Sequence, residues 1–365
     1  MTEQARPDRF DLIGTTVAGK YRVEAVVEET GMSVVYRAVH SVWRRPVALK
    51  AFKAQSFADE ARQQLLDAFV REGAILAELS ERTAAVCQAR DVASLVTARG
   101  EWVPYMVLEW LDGEPLDLVL ERERSEGVPP RTIERAMQML EPVARALTLA
   151  HDRGIVHRDV KPGNICVLAD RTSRGTTPTK LYDFGIATSI RDLGDAATGP
   201  LAATFTPAYA APEQYSTEYG AIGPWTDVFA LALVFLEVVT GEDGLCGASV
   251  EELRQRACDP VTRPTPRGPW MRVGDSIERV LALALALRPE DRFSAAGNFW
   301  TALTRAAKDR LREATIPILL TRPRRPSRPW LRRAVAIVGG ATAVVVLSHW
   351  AQVAHAVHFG LYGGR

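Results

Sequence analysis

The 365-residue chain predicts an α+β molecule of two lobes followed by one apolar helix near the C-terminus. Three observations carry that expectation. Short β-branched runs fill Tyr21 to about Leu120, with one helical stretch among them. Beyond Pro130 the apolar residues recur at helical spacing. From Ala334 to Gly364 there is no Lys, Arg, Asp or Glu. A hydrophobic content of 47% with 24% charged residues is that of a folded protein. The net charge of +1 gives no overall field favouring nucleic acid or an acidic partner.

In chain order, residues 1–20 read as a loose lead-in. No apolar core follows a basic patch there, so no secretory signal is expected. "YRVEAVVE", "SVVYRAVH" and "RPVALKAF" read as strands and "RQQLLDAFVREGAILAELSER" as a helix; "QARDVASLVT" and "VPYMVLEWL" bring the strands to five. "RTIERAMQMLEPVARALTLAHDRG" has the spacing of an amphipathic helix, whereas "TDVFALALVFLEVVTGE" is apolar nearly all round and predicts a buried one. Between them lie brief strands around "ICVL" and "TKLYDF". The alternating "RVLALALALRP" reads as core helix. Cys87, Cys166, Cys246 and Cys258 are scattered, with neither metal-site nor disulfide spacing, as suits a reducing cytosol.

The last segment changes character. Six arginines lie between Arg322 and Arg333, in the Pro/Arg-rich "RPRRPSRPWLRR". The apolar run after it, 334–356, is long enough for a bilayer core, which takes roughly 20 residues as a helix. Basic residues on its N-terminal flank keep that side cytoplasmic and bind anionic lipid headgroups. A buried C-terminal helix is the other reading, but it fits poorly after such a linker. Residues 357–365 would form a short extracytoplasmic tail. His355 and His358 sit three apart, as two ligands can, but two ligands alone make no metal site.

Chemistry concentrates in the middle of the chain. "HRDVKPGN", His157 to Asn164, is followed by "DFG" beginning at Asp183. Upstream stand "VALK", ending at Lys50, and Glu72 in "FVREGAIL". Downstream stand "TPAYAAPE" (Thr206 to Glu213), Asp227 in "WTDVFAL" and Arg292 in "RPEDRF". In this order and spacing the set resembles a eukaryotic-type (Hanks-type) serine/threonine protein kinase of the membrane-anchored bacterial kind, over about Tyr21 to Ala307.

The resemblance implies a bilobal kinase fold. An N-lobe (about 21–108) holds a five-stranded antiparallel sheet plus one helix, and a mainly helical C-lobe (about 112–307) follows. A basic juxtamembrane linker (308–333) and the span complete the chain, placing it in the inner (plasma) membrane with the kinase domain cytoplasmic. ATP and Mg2+ are the implied cofactors and protein hydroxyls the substrates. Membrane lipid is a further partner, a homodimer is suggested, and nucleic acid is not.

The resemblance also assigns roles. Asp159 accepts the attacking hydroxyl's proton and Lys161 neutralises the moving phosphate. Asn164 and Asp183 hold the metal, while Lys50, anchored by Glu72, reaches the α- and β-phosphates. The hinge would be "MVLEWLDGEPL": the backbone of Glu109 and Leu111 bonds the adenine edge, and Val27, Val35, Ala48 and Leu108 cover its faces. Asp227 braces the catalytic loop, and Glu213 pairs with Arg292. Arg158, directly before Asp159, marks the type whose activation loop is ordered by phosphate. Thr198 and Thr204 are the candidate acceptors, although for Thr198 ordinary loop polarity reads equally well. Thr206 is assigned to the catalytic loop and substrate backbone.

One segment departs from the pattern. Where the family keeps glycines in its phosphate-gripping loop, this chain has Glu28, Thr30 and Ser33, with only Gly31 nearby. Glycine there lets backbone N–H groups approach phosphate closely. The departure predicts weakened nucleotide binding and leaves two classes open: an active kinase of reduced ATP affinity, or a pseudokinase serving as a membrane-bound scaffold. Lys50, Glu72, Asp159, Asn164 and Asp183 are all present, which favours the enzyme.

Overall fold

The computed structural model describes residues 7–31, 33–53, 59–169, 178–184, 205–261, 264–265 and 273–315. The N-lobe is built on a sheet of β1 (Thr16–Val17), β2 (Tyr21–Glu29), β3 (Ser33–His40), β4 (Pro46–Phe52), β5 (Ala89–Val96) and β6 (Trp102–Glu109). Its order is β1-β2-β3-β4-β6-β5, with every neighbouring pair antiparallel. Helix α1 (Asp59–Arg82) connects β4 to β5. The expected five strands are all there; the sixth, β1, comes from the segment read as a loose lead-in.

That segment is packed, for a reason the strands themselves contain. Residues alternate across a strand, and here both faces are apolar. Val34, Tyr36 and Ala38 of β3, with Val47, Leu49 and Ala51 of β4 and Val103, Tyr105 and Val107 of β6, are buried on the outer face. Phe10, Leu12 and Val17 cover them. The Tyr36 hydroxyl donates to Asp8 at 2.8 Å and fixes the segment further. On the inner face Phe52, Met106 and Leu108 meet Phe69, Leu76 and Leu79 of α1. One helix can cover only one face, so the lead-in closes the other.

The C-lobe begins with β7 (Gly113–Pro115), which pairs with β8 (Ile165–Leu168), itself paired with β9 (Thr179–Leu181). Its helices are α2 (Leu116–Ser125), α3 (Ile133–His151), the short α4 (Pro212–Tyr215), α5 (Pro224–Thr240), α6 (Val250–Cys258), α7 (Asp275–Ala284) and α8 (Ala296–Thr315). Every residue of α5 from Thr226 to Val239 is buried, as its unbroken apolar run predicts. Gly241 ends it in the left-handed region, φ 75°, where its N–H returns to the Glu237 carbonyl at 2.8 Å; a side chain there would be strained.

Helix α8 runs to Thr315, beyond the expected boundary at 307, so the first residues assigned to the linker are helical. No helix among the described residues is long and apolar enough to cross a membrane. The predicted span, 334–356, and the flanking linker from 316 on lie outside the described residues.

Candidate active site

The roof of the cleft is set by strand register. Glu28 pairs with Val35, Val35 with Lys50, and Lys50 with Met106. Directly opposed residues in a sheet share a face, so Glu28, Val35 and Lys50 all point from the roof toward the C-lobe. Ala48 and Leu108 form the next pair of that face. Leu108 is nearly buried, while Val27, at 36% exposure, lies at the rim. The carboxylate of Glu109 is fixed by the Gln88 N–H (2.9 Å) and by Lys180. Glu109 therefore ends β6 beside the pocket faces assigned to adenine, and Leu111 follows just beyond the strand.

The roof tip closes on itself. Thr30 N–H donates to the Ser33 carbonyl at 2.8 Å, and Ser33 N–H donates to Thr30 Oγ1 at 3.1 Å. Lys53 Nζ grips the turn through Glu29 Oε1 (2.7 Å) and the Thr30 carbonyl (2.6 Å). Two N–H groups that a glycine loop would offer to phosphate are thus spent inside the turn. The sequence marks the missing glycines; the replacement contacts depend on Lys53, which no motif singles out.

The catalytic loop hangs from Asp227 at the start of α5, where a buried carboxylate must find donors. It accepts the N–H of His157 at 2.7 Å and of Arg158 at 2.8 Å. His151 Nε2 lies 2.9 Å from the same carboxylate. Because His151 Nδ1 accepts the Ala296 N–H at 3.1 Å, the ring hydrogen is on Nε2 and is donated to Asp227. Arg158 stands at φ 68°, held by these contacts, and Asp183 at φ 60°; both are left-handed conformations uncommon for non-glycine residues. Gln214 Nε2 also donates to the Arg158 carbonyl at 2.7 Å. Among the described residues the Arg158 guanidinium has no carboxylate partner.

Suspended this way, Asp159 meets its expected neighbours. Lys161 Nζ lies 2.8 Å from Asp159 Oδ2 and donates to Thr206 Oγ1 at 2.6 Å. Thr206 N–H donates to Asp159 Oδ1 at 3.0 Å. Burial would push the Asp159 carboxyl up, but Lys161, then His157 and the Thr206 N–H, outweigh it and hold the group below its ordinary value. It is an ionised acceptor in reach of a hydroxyl.

Asn164 Nδ2 donates to the Asp159 carbonyl (2.8 Å) and carboxylate (3.1 Å), which leaves its amide oxygen as the group available to a cation. Asp183 Oδ1 pairs with Lys50 Nζ at 2.5 Å. An amide oxygen and a carboxylate are the donors a hard cation such as Mg2+ takes, with nucleotide phosphates completing its shell. The donor set therefore fits. Lys50, expected to rest on Glu72, meets Asp183; the Glu72 side chain on α1 lies outside the described residues, as do Thr198 and Thr204.

Beyond the cleft, Arg292 donates to Glu213 through both terminal nitrogens, at 2.8 and 2.9 Å. The same guanidinium reaches the carbonyls of Ala286 and Leu287 and lies 4.9 Å from the Phe229 ring centroid. Three site residues have no motif to announce them: His151, Gln214 and Tyr182. Tyr182 carries its hydroxyl to the Gly163 carbonyl inside the catalytic loop.

Two lobes, a lysine on the roof, and a braced aspartate facing two metal-ligand candidates define the protein kinase class. The protein kinase domain model matches residues 21–301. The chain is 30% identical over 344 residues to the serine/threonine-protein kinase PknA of Mycobacterium tuberculosis, covering 91% of this chain and 70% of that protein. It is 32% identical over 313 residues to PknB of the same organism, covering 85% of this chain and 46% of that one. Against pkn3 of Myxococcus xanthus the identity is 30% over 322 residues, 85% of this chain and 54% of the relative. Among solved structures, PpkA-294 in its apo form matches with a TM-score of 0.58 at 24% identity, over 82% of this chain and all (100%) of that one. The kinase domain of Mycobacterium tuberculosis PknI matches at 0.53 and 24%, over 80% and 98%; these two likenesses speak for the fold alone. The chain belongs to the bacterial serine/threonine protein kinases.

Proposed function

We propose that this kinase transfers the γ-phosphoryl group of ATP to serine and threonine hydroxyls of proteins, its own activation loop included, with a weakened grip on the nucleotide. The observation that carries the reading is the assembled set of Asp159, Lys161, Thr206 and Asn164, braced by Asp227. Asp159 orients the substrate hydroxyl and takes up its proton as the oxygen bonds to phosphorus. Lys161, bridging Asp159 and Thr206, offsets charge on the group in flight. Lys50 holds the nucleotide's phosphates, and Asn164 with Asp183 would hold Mg2+, which when bound neutralises phosphate charge. Arg158 is available to a phosphate on Thr198 or Thr204, the proposed acceptors.

Incubation of the purified protein with Mg2+ and labelled ATP, beside Asp159→Asn, tests this. Label on the wild type and none on the variant is the expected result. If neither labels itself or a generic substrate, and no nucleotide shifts the melting point, the second reading holds: a scaffold with a spent nucleotide site, which the self-bonded roof tip favours. We further propose that 334–356 anchors the kinase in the plasma membrane, with the linker on anionic lipid. Removal of 334–365 should release it from the membrane fraction; retention there sinks the assignment.

A further inference from the structure

We propose that the turn between β3 and β4 docks on an anionic membrane surface, with Val42 and Trp43 entering the headgroup layer and Lys20, Arg44 and Arg45 on lipid phosphates. It rests on the anchor reading only for the tether that brings a bilayer within reach. Strand β3 ends at His40 and β4 begins at Pro46, and the five residues between them are Ser-Val-Trp-Arg-Arg. Short hairpin turns ordinarily use Gly, Asn, Asp and Ser, which suit the backbone. Here Arg44 occupies the left-handed position, φ 53°, where glycine or asparagine is at ease. Burial gives no reason for these large side chains, since Val42 is 79% exposed and Trp43 66%.

The turn is held in one shape. His40 Nδ1 accepts the N–H of Val42 at 3.2 Å and of Trp43 at 3.3 Å. The His40 N–H donates to the Arg45 carbonyl at 2.9 Å, and the Arg44 N–H to the His40 carbonyl at 2.8 Å. The His40 ring meets Tyr21 edge-on at 5.4 Å and stacks on Trp43 at 4.3 Å, with 12° between the planes. The indole is thus ordered before it meets a partner, and little freedom is lost on docking. Ser41 N–H donates to the Lys20 carbonyl at 2.7 Å and draws the β1–β2 turn alongside.

Charge and size together select the partner. Arg44 and Arg45 are exposed and have no carboxylate partner among the described residues; Lys20 is exposed and has one, Asp91, at 3.9 Å. The turn is therefore cationic around an exposed indole. A protein interface of ordinary size takes roughly 20–30 residues a side, and the turn offers one aromatic and one aliphatic side chain. A bilayer surface asks for no more: indoles settle at headgroup depth, and arginine and lysine are drawn to anionic lipid.

So small a contact is weak alone, and the chain supplies proximity. Helix α8 ends at Thr315 and the apolar run begins at 334, so the 18 residues from 316 to 333 span at most roughly 60 Å. A folded domain of about 300 residues has a radius of gyration of roughly 20 Å. The tether is thus long enough for the turn to reach the bilayer, and docking becomes intramolecular, at an effective concentration in the millimolar range. His40 and Ser33 are opposite ends of β3. The roof tip therefore stands a strand length, about 23 Å, from the docked turn and stays clear of the lipid.

The test places the full chain in nanodiscs of brominated phosphatidylcholine, with or without phosphatidylglycerol, and reads quenching of tryptophan emission. Subtracting Trp43→Phe isolates Trp43, because the other tryptophans are common to both forms. Trp43 should be quenched in the anionic discs and not in the zwitterionic ones, and high salt should release it. Arg44→Gln with Arg45→Gln should lower the docked-to-free ratio by roughly thirtyfold. A Trp43 signal unquenched in both discs, with the chain embedded, overturns the proposal. So does a Trp43 signal that shifts only with protein concentration, which would mean that a second copy covers the turn. If the chain embeds in neither disc, the anchor reading falls, and brominated anionic vesicles added to the same chain decide: quenching of Trp43 supports the docking turn and its absence overturns it. Labelling from ATP in detergent should be the same in every variant, and its absence from the wild type as well would sink the kinase reading alone.

Discussion

Arg292 and Glu213 meet as a bidentate pair with neither side chain exposed: both are at 0%. Breaking such a pair by removing one partner leaves an uncompensated buried charge and typically costs about 3–5 kcal/mol. Arg292→Ala should therefore lower stability by that order, read as a lower denaturation midpoint. Replacing both partners by apolar residues of similar volume should cost much less, and an equal loss in the double variant would refute the buried-charge explanation.

Asp227 positions the catalytic loop without reaching the cleft. Asp227→Asn puts an amide NH2 against donors it cannot accept from, and the loop shifts. A misplacement of about 1 Å can cost on the order of a hundredfold in rate. We expect kcat to fall on that scale with the Kd for Mg·ATP little changed; equal losses in both would mean that the whole lobe is disturbed.

Glu237 predicts a pH dependence. Burial pushes its carboxyl up from the ordinary 4.5 to about 7; the Tyr209 hydroxyl and Arg124 oppose the rise, and Asp243 and Asp117 add to it. The folded protein keeps a proton that the unfolded chain releases between pH 4.5 and 7, so this group costs stability as pH rises through that window. Glu237→Gln should match the wild type near pH 5 and exceed it near pH 8, by on the order of 1–3 kcal/mol. Melting curves at the two pH values decide.

Phe10 is 2% exposed on the outer face of the sheet. Phe10→Ala should cost about 3–5 kcal/mol, the usual loss for a buried phenylalanine. A midpoint equal to wild type would return residues 7–20 to the status of a loose leader.

Thr30 closes the roof turn, since its Oγ1 accepts the Ser33 N–H. Thr30→Gly should free that N–H for phosphate and tighten Mg·ATP by about one hydrogen bond, 0.5–1.5 kcal/mol. Calorimetric titration reads it directly, and a weaker Kd would show the closed turn to be an aid to binding.

The parts of this molecule that rest on local pattern are legible in the amino-acid sequence. Lys50, Asp159, Asn164 and Asp183 announce themselves by short motifs, and the buried helix α5 by its unbroken apolar run. The packed leader is not legible at Phe10 or Leu12, which carry no periodic signal of their own. It is legible, indirectly, in Val34, Tyr36 and Ala38, whose outer-face partners have to come from somewhere. His151 and Tyr182 escape for a different cause. Each acts through contacts with distant residues, His151 with Asp227 and Ala296, Tyr182 with Gly163, and no spacing rule encodes such meetings.

The link from Ala296 through His151 to Asp227 also has a consequence for synthesis. Ala296 is 145 residues beyond His151, and Asp227 is 69 beyond Arg158. A nascent chain that has cleared the ribosome only as far as α7 already carries every residue assigned to phosphoryl transfer. It still lacks the backbone donor that fixes the His151 ring, and it is only just acquiring Arg292 to meet Glu213. The catalytic loop therefore receives the last of these supports only when α8 emerges.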